Sequence, residues 1–389
     1  MTNPYALLDN DYSQYLPGSS RFKPVRTRAG RVASGAAATF DRAALRLMET
    51  LFLSGETVDV ERDLSLEIAH WKDVYLVPED GVRAHFTPDR SPEEVERVSR
   101  EALPGGERLR LRFESPCDPI DPEISTRYRS FEPNHVCDVV VWRHDDASRP
   151  TVICLHAWCM GVLWFDERVF AARALYDAGF HVVLPTLPFH GSRTPHRARF
   201  GGQMFPSPRL DYSNEAFRQS VIEIRALRAW LTDRGHDGGF GLMGISLGGY
   251  LSALLASLWD DWEFVVPIIA PASFADILWY HGANRPMRQR ALSAGVDLQT
   301  LRDLWFVHSP LRYELALPKE RALIVAATGD AIVRPAQSRT LWRHWHEPEL
   351  RWVIGSHLAQ TRWVTGSRVA SRGKVDFMAE VLPFLRRFA

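Results

Sequence analysis

Short runs without a charged side chain recur along the middle of this chain: Thr151–Leu155, His181–Pro185, Phe240–Ile245, Phe264–Ala270 and Ala322–Ala327. Runs this short and this apolar suit strands covered on both faces, as in parallel sheets. Between them lie helical patterns: Leu163–Ala178; a long amphipathic stretch marked by Phe217, Val221, Ile224, Leu227 and Leu231; Leu247–Leu258; and Pro335–Trp345. Leu350–Ile354 reads as one more strand and Lys374–Arg387 as a closing helix. Arg108–Glu114 alternates apolar and charged residues, and Val136–Trp142 follows as a second strand. Strand and helix alternating in this way predict an α/β fold, a mostly parallel central sheet with helices on both faces.

Residues 1–105 read as a helical N-terminal extension. Asp41–Ser54 carries apolar residues on one side, and Ser91-Pro92-Glu93-Glu94 has the N-cap, first-turn Pro and capping-box Glu of a helix start. Residues 106–389 form the α/β domain, with 272–320 an insertion that interrupts its alternation. Gly239–Trp259 is uncharged and long enough to cross a bilayer, but glycines divide it, so a buried strand followed by a buried helix is expected.

Composition narrows the function. Hydrophobic residues make up 46% and charged residues 24% of the 389, which excludes a largely disordered chain. Lys+Arg and Asp+Glu both number 47, so there is no basic excess for nucleic acid. Four cysteines are too few for a disulfide framework, and the N-terminus lacks a basic segment followed by an apolar one. A soluble cytoplasmic protein is expected. The oligomeric state is left open.

The chemistry centres on Gly244-Ile245-Ser246-Leu247-Gly248, a G-x-S-x-G between an apolar strand and an apolar helix. A Ser on such a turn takes a strained backbone, and small residues two positions away relieve the crowding. The turn lifts Oγ above the sheet and aims N–H groups of the new helix at the same point. A nucleophilic Ser needs a base, and the base an orienting acid. Thr328-Gly329-Asp330 follows one later strand and Gly355-Ser356-His357 the next, so Asp330 and His357 are the candidate acid and base, with Asp276 a spare acid. Gly239–Gly244 matches G-x-G-x-x-G, but it follows a polar helix end and not a strand, which counts against a dinucleotide site. His344-Trp345-His346 lacks a metal-ligand partner set, and H-E-x-x-H and C-x-x-C do not occur, so no metal or other cofactor is expected.

With these motifs and the loop His156-Ala157-Trp158-Cys159-Met160-Gly161, the chain resembles the serine hydrolases of the α/β-hydrolase fold, esterase-like branch, over about residues 107–389. In that superfamily this loop commonly begins His-Gly; Ala157 departs from the pattern. The resemblance implies an oxyanion hole formed by the backbone N–H groups of Trp158 and Leu247, and a short helical cap over the site made by 272–320. Aromatic residues in the insertion suggest a small-molecule ester with an apolar or aromatic part. His190, Arg193 and His281 are candidate substrate contacts. The loop Pro188–Pro195 is similar to a Pro-aromatic-x-Gly-x-Arg-x-Pro loop of one abhydrolase-domain group. The expected reaction is hydrolysis of a carboxylic ester through an acyl-Ser246. A thioesterase, amidase or acyltransferase on the same triad, and a non-catalytic ligand receptor on a hydrolase fold, are the alternatives.

Overall fold

One twisted sheet positions everything else. The computed structural model describes residues 64–358 and 377–389, apart from 89–91, 93, 207–208, 283–287, 290, 291 and 294. Of the first 43 it describes 4–6, 8, 9, 32, 34–36 and 38–43. Among these residues the strands are β1 (Val95–Leu103), β2 (Gly106–Glu114), β3 (Val136–His144), β4 (Thr151–Leu155), β5 (His181–Pro185), β6 (Phe240–Ile245), β7 (Val265–Ile268), β8 (Leu323–Ala327) and β9 (Glu349–Val353). They form a single 9-stranded sheet in the order β1-β2-β3-β5-β4-β6-β7-β8-β9. The ladders from β1 through β3 to β5 are antiparallel, and all the others are parallel. The expected mostly parallel sheet is thus present.

The apolar runs are apolar because each strand faces a core on both sides. Ile153, Leu155, Leu242 and Ile324 point into one core. Val152, Cys154, Met243, Ile245 and Val325 point into the other. The first core is covered by α1 (Leu64–Tyr75), α4 (Leu210–Thr232), α5 (Leu247–Leu258) and α6 (Pro335–His344). The second is covered by α2 (Leu163–Val169), α3 (Ala172–Asp177) and α7 (Phe377–Leu385). The uncharged stretch Gly239–Trp259 is therefore β6 and α5, both buried. No helix among the described residues is long and apolar enough to cross a membrane.

Several expectations need correction. Ser91 and Glu93 of the expected helix start lie outside the described residues, but the stretch after them is strand β1, which pairs with β2 from Val95 opposite Phe113 to Leu103 opposite Gly106. A capping box contributes about 1 kcal/mol, less than a full ladder of backbone hydrogen bonds. The boundary drawn at residue 105 therefore falls in a hairpin turn, where Gly105 has φ 69°, and the extension is not wholly helical. The helix over 163–178 is two helices, broken at Ala171 with φ 50°. The polar side of α4 does not meet water: Asp211, Asn214, Glu215, Arg218, Gln219 and Glu223 are all buried, because α1 and the segment before β3 cover them. Helix Asp41–Ser54 is described only to residue 43, and residues 374–376 of the closing helix lie outside the described residues.

Candidate active site

The carboxyl ends of β4, β6, β8 and β9 carry the loops that matter, which is where open α/β sheets bind ligands. Ser246 follows β6 with φ 52° and ψ −109°, a left-handed conformation for a non-glycine residue, and α5 begins at the next position. Backbone strain of this kind costs on the order of 1–3 kcal/mol and persists only where surrounding packing enforces it. Two glycines make that packing feasible. A Cβ on Gly244 would lie 2.0 Å from Gly248 O, and one on Gly248 would lie 1.9 Å from Leu155 O. The turn is thus pressed against the end of β4, and no side chain fits at either position.

The candidate base and acid come from the last two loops. Ser246 Oγ lies 2.9 Å from His357 Nε2, and His357 Nδ1 lies 2.7 Å from Asp330 Oδ2. With the proton on Nδ1, the imidazole donates to the carboxylate and its Nε2 accepts from the Ser hydroxyl. Asp330 Oδ1 also accepts from the N–H groups of Ile332 (2.9 Å) and Val333 (2.7 Å). Burial pulls the His357 pKa down, but the charge and hydrogen bond of Asp330, together with the charge of Asp41, outweigh it and raise it above the ordinary value. Burial raises Asp330, and the charge and hydrogen bond of His357 only partly offset that. Ser246 and His357 remain 9% and 8% exposed, so this hydrogen-bonded series still reaches solvent at its Ser246 end.

The spare acid is engaged elsewhere. Asp276 is fully buried, accepting from Arg302 at 2.7 and 3.0 Å and from Ser273 Oγ at 2.6 Å. This pair ties two helical pieces of the insertion together.

The loop after β4 turns tightly at Trp158-Cys159, with Cys159 at φ 63°. His156 holds it: its Nδ1–H donates to Ala157 O (2.8 Å) and its Nε2 accepts from Leu187 N (2.9 Å). Burial lowers His156 to about 4, so it stays neutral, as those two bonds require. The Trp158 indole donates to Gly202 O at 2.7 Å. Leu247 is the first residue of α5, where backbone N–H groups have no carbonyl partner within the helix.

Two expected substrate contacts are structural. Arg193 has no exposed surface; it pairs with Glu223 through both terminal nitrogens (2.6 and 2.7 Å) and donates to Thr186 O and Asn134 O. It locks the loop after β5 to α4. His190 is equally buried, with Nδ1 on Pro188 O, and Gly202 closes over its Nε2. Neither reaches the surface: Gly202 and Phe205 pack on His190, and Arg193 is enclosed by Glu223, Asn134 and Thr186. His281 lies in the π-helical turn Leu278–Gly282, and its side chain lies outside the described residues.

Sequence reasoning missed Asp41. Its carboxylate is buried and accepts from Ala331 N, Ser356 Oγ, His357 N and Leu358 N. An acidic residue beside a helical pattern far from the motifs gives no signal of such contacts.

A family model described as "Alpha/beta hydrolase domain containing 18" matches residues 112–286. An uncharacterized protein of Mycobacterium tuberculosis, found in two strains, is 30% identical over 251 residues, 64% of this chain and 59% of the relative. The match thus spans about three fifths of that relative's length. Among solved structures, an acetyl xylan esterase from Paenibacillus sp. R4 superposes with a TM-score of 0.55 at 13% identity, covering 82% of this chain and 98% of that one. Acetyl xylan esterase 1 from Thermoanaerobacterium sp. JW/SL YS485 gives 0.51 at 14% identity, covering 80% and 94%. The chain has the α/β-hydrolase fold.

Proposed function

We propose that this chain is a serine hydrolase that cleaves a carboxylic ester through an acyl-enzyme. The observation that carries the reading is the unbroken hydrogen-bonded series from Ser246 through His357 to Asp330. In it, Ser246 Oγ attacks the ester carbonyl carbon as its proton moves to His357 Nε2. Asp330 holds the imidazole in the tautomer that leaves Nε2 free, and stabilises the imidazolium once it forms. The oxyanion takes hydrogen bonds from the N–H groups of Leu247 and Trp158. Collapse of the tetrahedral species expels the alcohol, which takes the proton from His357. Water then attacks the acyl carbon as it gives a proton to His357 Nε2, and breaking of the acyl–Oγ bond releases the acid while His357 returns that proton to Ser246 Oγ. Every proton and electron pair is handled by these side chains and the substrate, so no cofactor enters the scheme.

The functional unit is drawn wider than residues 106–389, because β1 belongs to the sheet and Asp41 to the site. Cysteines 117, 137, 154 and 159 are all free, which fits the cytoplasmic placement that goes with this reading.

A fluorophosphonate probe, which reacts with activated serines, tests the proposal. The purified chain should be labelled on Ser246, and Ser246→Ala should be unlabelled while hydrolysing p-nitrophenyl acetate about 10⁴–10⁶-fold more slowly. An unlabelled wild-type chain, or a Ser246→Ala variant keeping a tenth of the activity, would end this reading. Esters of graded chain length, thioesters and amides offered to the same protein would then rank the substrate classes.

A further inference from the structure

The residue that joins the two catalytic loops comes from neither of them. Asp41 lies in a helical stretch, residues 38–43, and has no exposed surface. Its Oδ2 accepts from Ala331 N (3.1 Å), directly after Asp330, and from His357 N (2.8 Å). Its Oδ1 accepts from Ser356 Oγ (2.8 Å) and Leu358 N (3.0 Å). One carboxylate thus grips the residue after the acid and the three residues centred on the base. The same N-terminal segment touches the acid loop a second time. Ser34 Oγ and Thr328 Oγ1 lie 2.7 Å apart, and Ser34 O sits where a Cβ on Gly329 would be, at 2.4 Å.

We propose that Asp41 is a positioning residue of the active site, fixing the Asp330 and His357 loops against each other and placing a second negative charge behind the imidazole. This rests on the reading of Ser246, His357 and Asp330 as the reacting groups. Two kinds of effect follow. The first is geometric: proton transfer between Ser246 and His357 depends on a 2.9 Å contact, and a displacement of about 1 Å costs up to about 10²-fold in rate. The second is electrostatic. The charged groups facing His357 are Asp330, from the loop after β8, and Asp41, from the N-terminal segment. Removing either charge makes the imidazolium harder to form, so the pH below which His357 is blocked by a proton must fall.

The test is the rate of fluorophosphonate labelling and the kcat and KM for p-nitrophenyl acetate, from pH 5 to 9, on the full chain. Rates are normalised to folded protein by circular dichroism and melting. Asp41→Asn is nearly isosteric, but it loses the charge and turns one accepting oxygen into a donor facing N–H groups. Labelling and kcat should fall about 10- to 100-fold with KM near wild type, and the acid limb should move to lower pH. Ser356→Ala removes one donor and keeps the charge, so the rate should drop by about 3- to 10-fold with the limb unmoved. A purely structural role would lower the melting temperature and leave both the rate per folded molecule and the limb where they were; that result overturns the proposal. If Asp41→Asn does not fold, Ser356→Ala decides: a wild-type rate per folded molecule refutes the role of Asp41. An unlabelled wild-type chain would bring down the serine-hydrolase reading and Asp41 with it. A labelled wild type with unchanged variants removes Asp41 alone.

Discussion

Replacing Arg193 with Met separates two roles that the loop sequence alone could not. A substrate contact would cost binding and leave the fold intact. The structure instead buries the guanidinium completely, against Glu223 and the carbonyls of Asn134 and Thr186. Met fills similar volume but leaves the Glu223 carboxylate without its cation, and breaking a buried pair by removing one partner costs about 3–5 kcal/mol. Glu223 keeps Ser115 Oγ (2.6 Å) and Gln219 Nε2 (2.8 Å) as donors, which favours the lower end. Unfolding entropy of about 2.1 cal/mol/K per residue gives roughly 0.8 kcal/mol/K for a chain of 389 residues. The variant should therefore melt about 4–6 °C lower, read by circular dichroism or calorimetry, with KM for p-nitrophenyl acetate within about twofold of wild type. Adding Glu223→Leu should recover much of the loss, because a matched apolar pair replaces a buried ion pair at little cost. A coupling energy of at least about 2 kcal/mol is expected from the double-mutant cycle. If Arg193→Met melts like wild type while KM rises tenfold, Arg193 binds substrate and the structural account is wrong.

The raised His357 pKa places the acid limb of kcat/KM above the ordinary histidine value of about 6.5, since only the neutral imidazole accepts the Ser246 proton. Asp330→Asn should move that limb to lower pH and cut kcat by about 10⁴-fold; a limb that stays put would separate Asp330 from His357. Away from the site, Glu215 on α4 is pushed up to about 7 by burial, against donations from Asp121 N, Tyr75 and Ile120 N. A raised carboxyl pKa favours the folded state while the group is protonated, so this contribution is complete at low pH. It should be lost as pH rises from about 4.5 to about 7, and urea unfolding of wild type should lose on the order of 3 kcal/mol over that span relative to Glu215→Gln. Parallel stability curves for the two proteins would contradict it.

Much of this fold is written into local pattern. Each short apolar run became a strand within a residue or two of its expected ends, because a doubly covered strand tolerates no charge anywhere along it. Ser246 was legible for the same reason, since it directly follows such a strand; the candidates Asp330 and His357 stand a few residues beyond β8 and the half-buried β9, and the sheet register brings all three to one edge. The Gly pair flanking Ser246 is local as well, since the turn forbids a Cβ at Gly244 and Gly248.

What failed depended on partners far along the chain. The capping-box sequence before β1 gives a helix signal, yet strand pairing with β2 overrides it. Arg193 and His190 read as polar groups on a loop near the site, and only packing against α4 and under Gly202 makes them interior. The charged side of α4 reads as solvated, and its burial is set by residues that precede β3. Asp41 is the sharpest case: its partners lie 290 to 317 positions away and donate mainly through backbone N–H groups, which every residue but proline possesses. A contact made to backbone leaves no mark on the identity of the residue that makes it, so the sequence determined the sheet and the candidate reacting side chains, and only the tertiary structure decided what holds them in register.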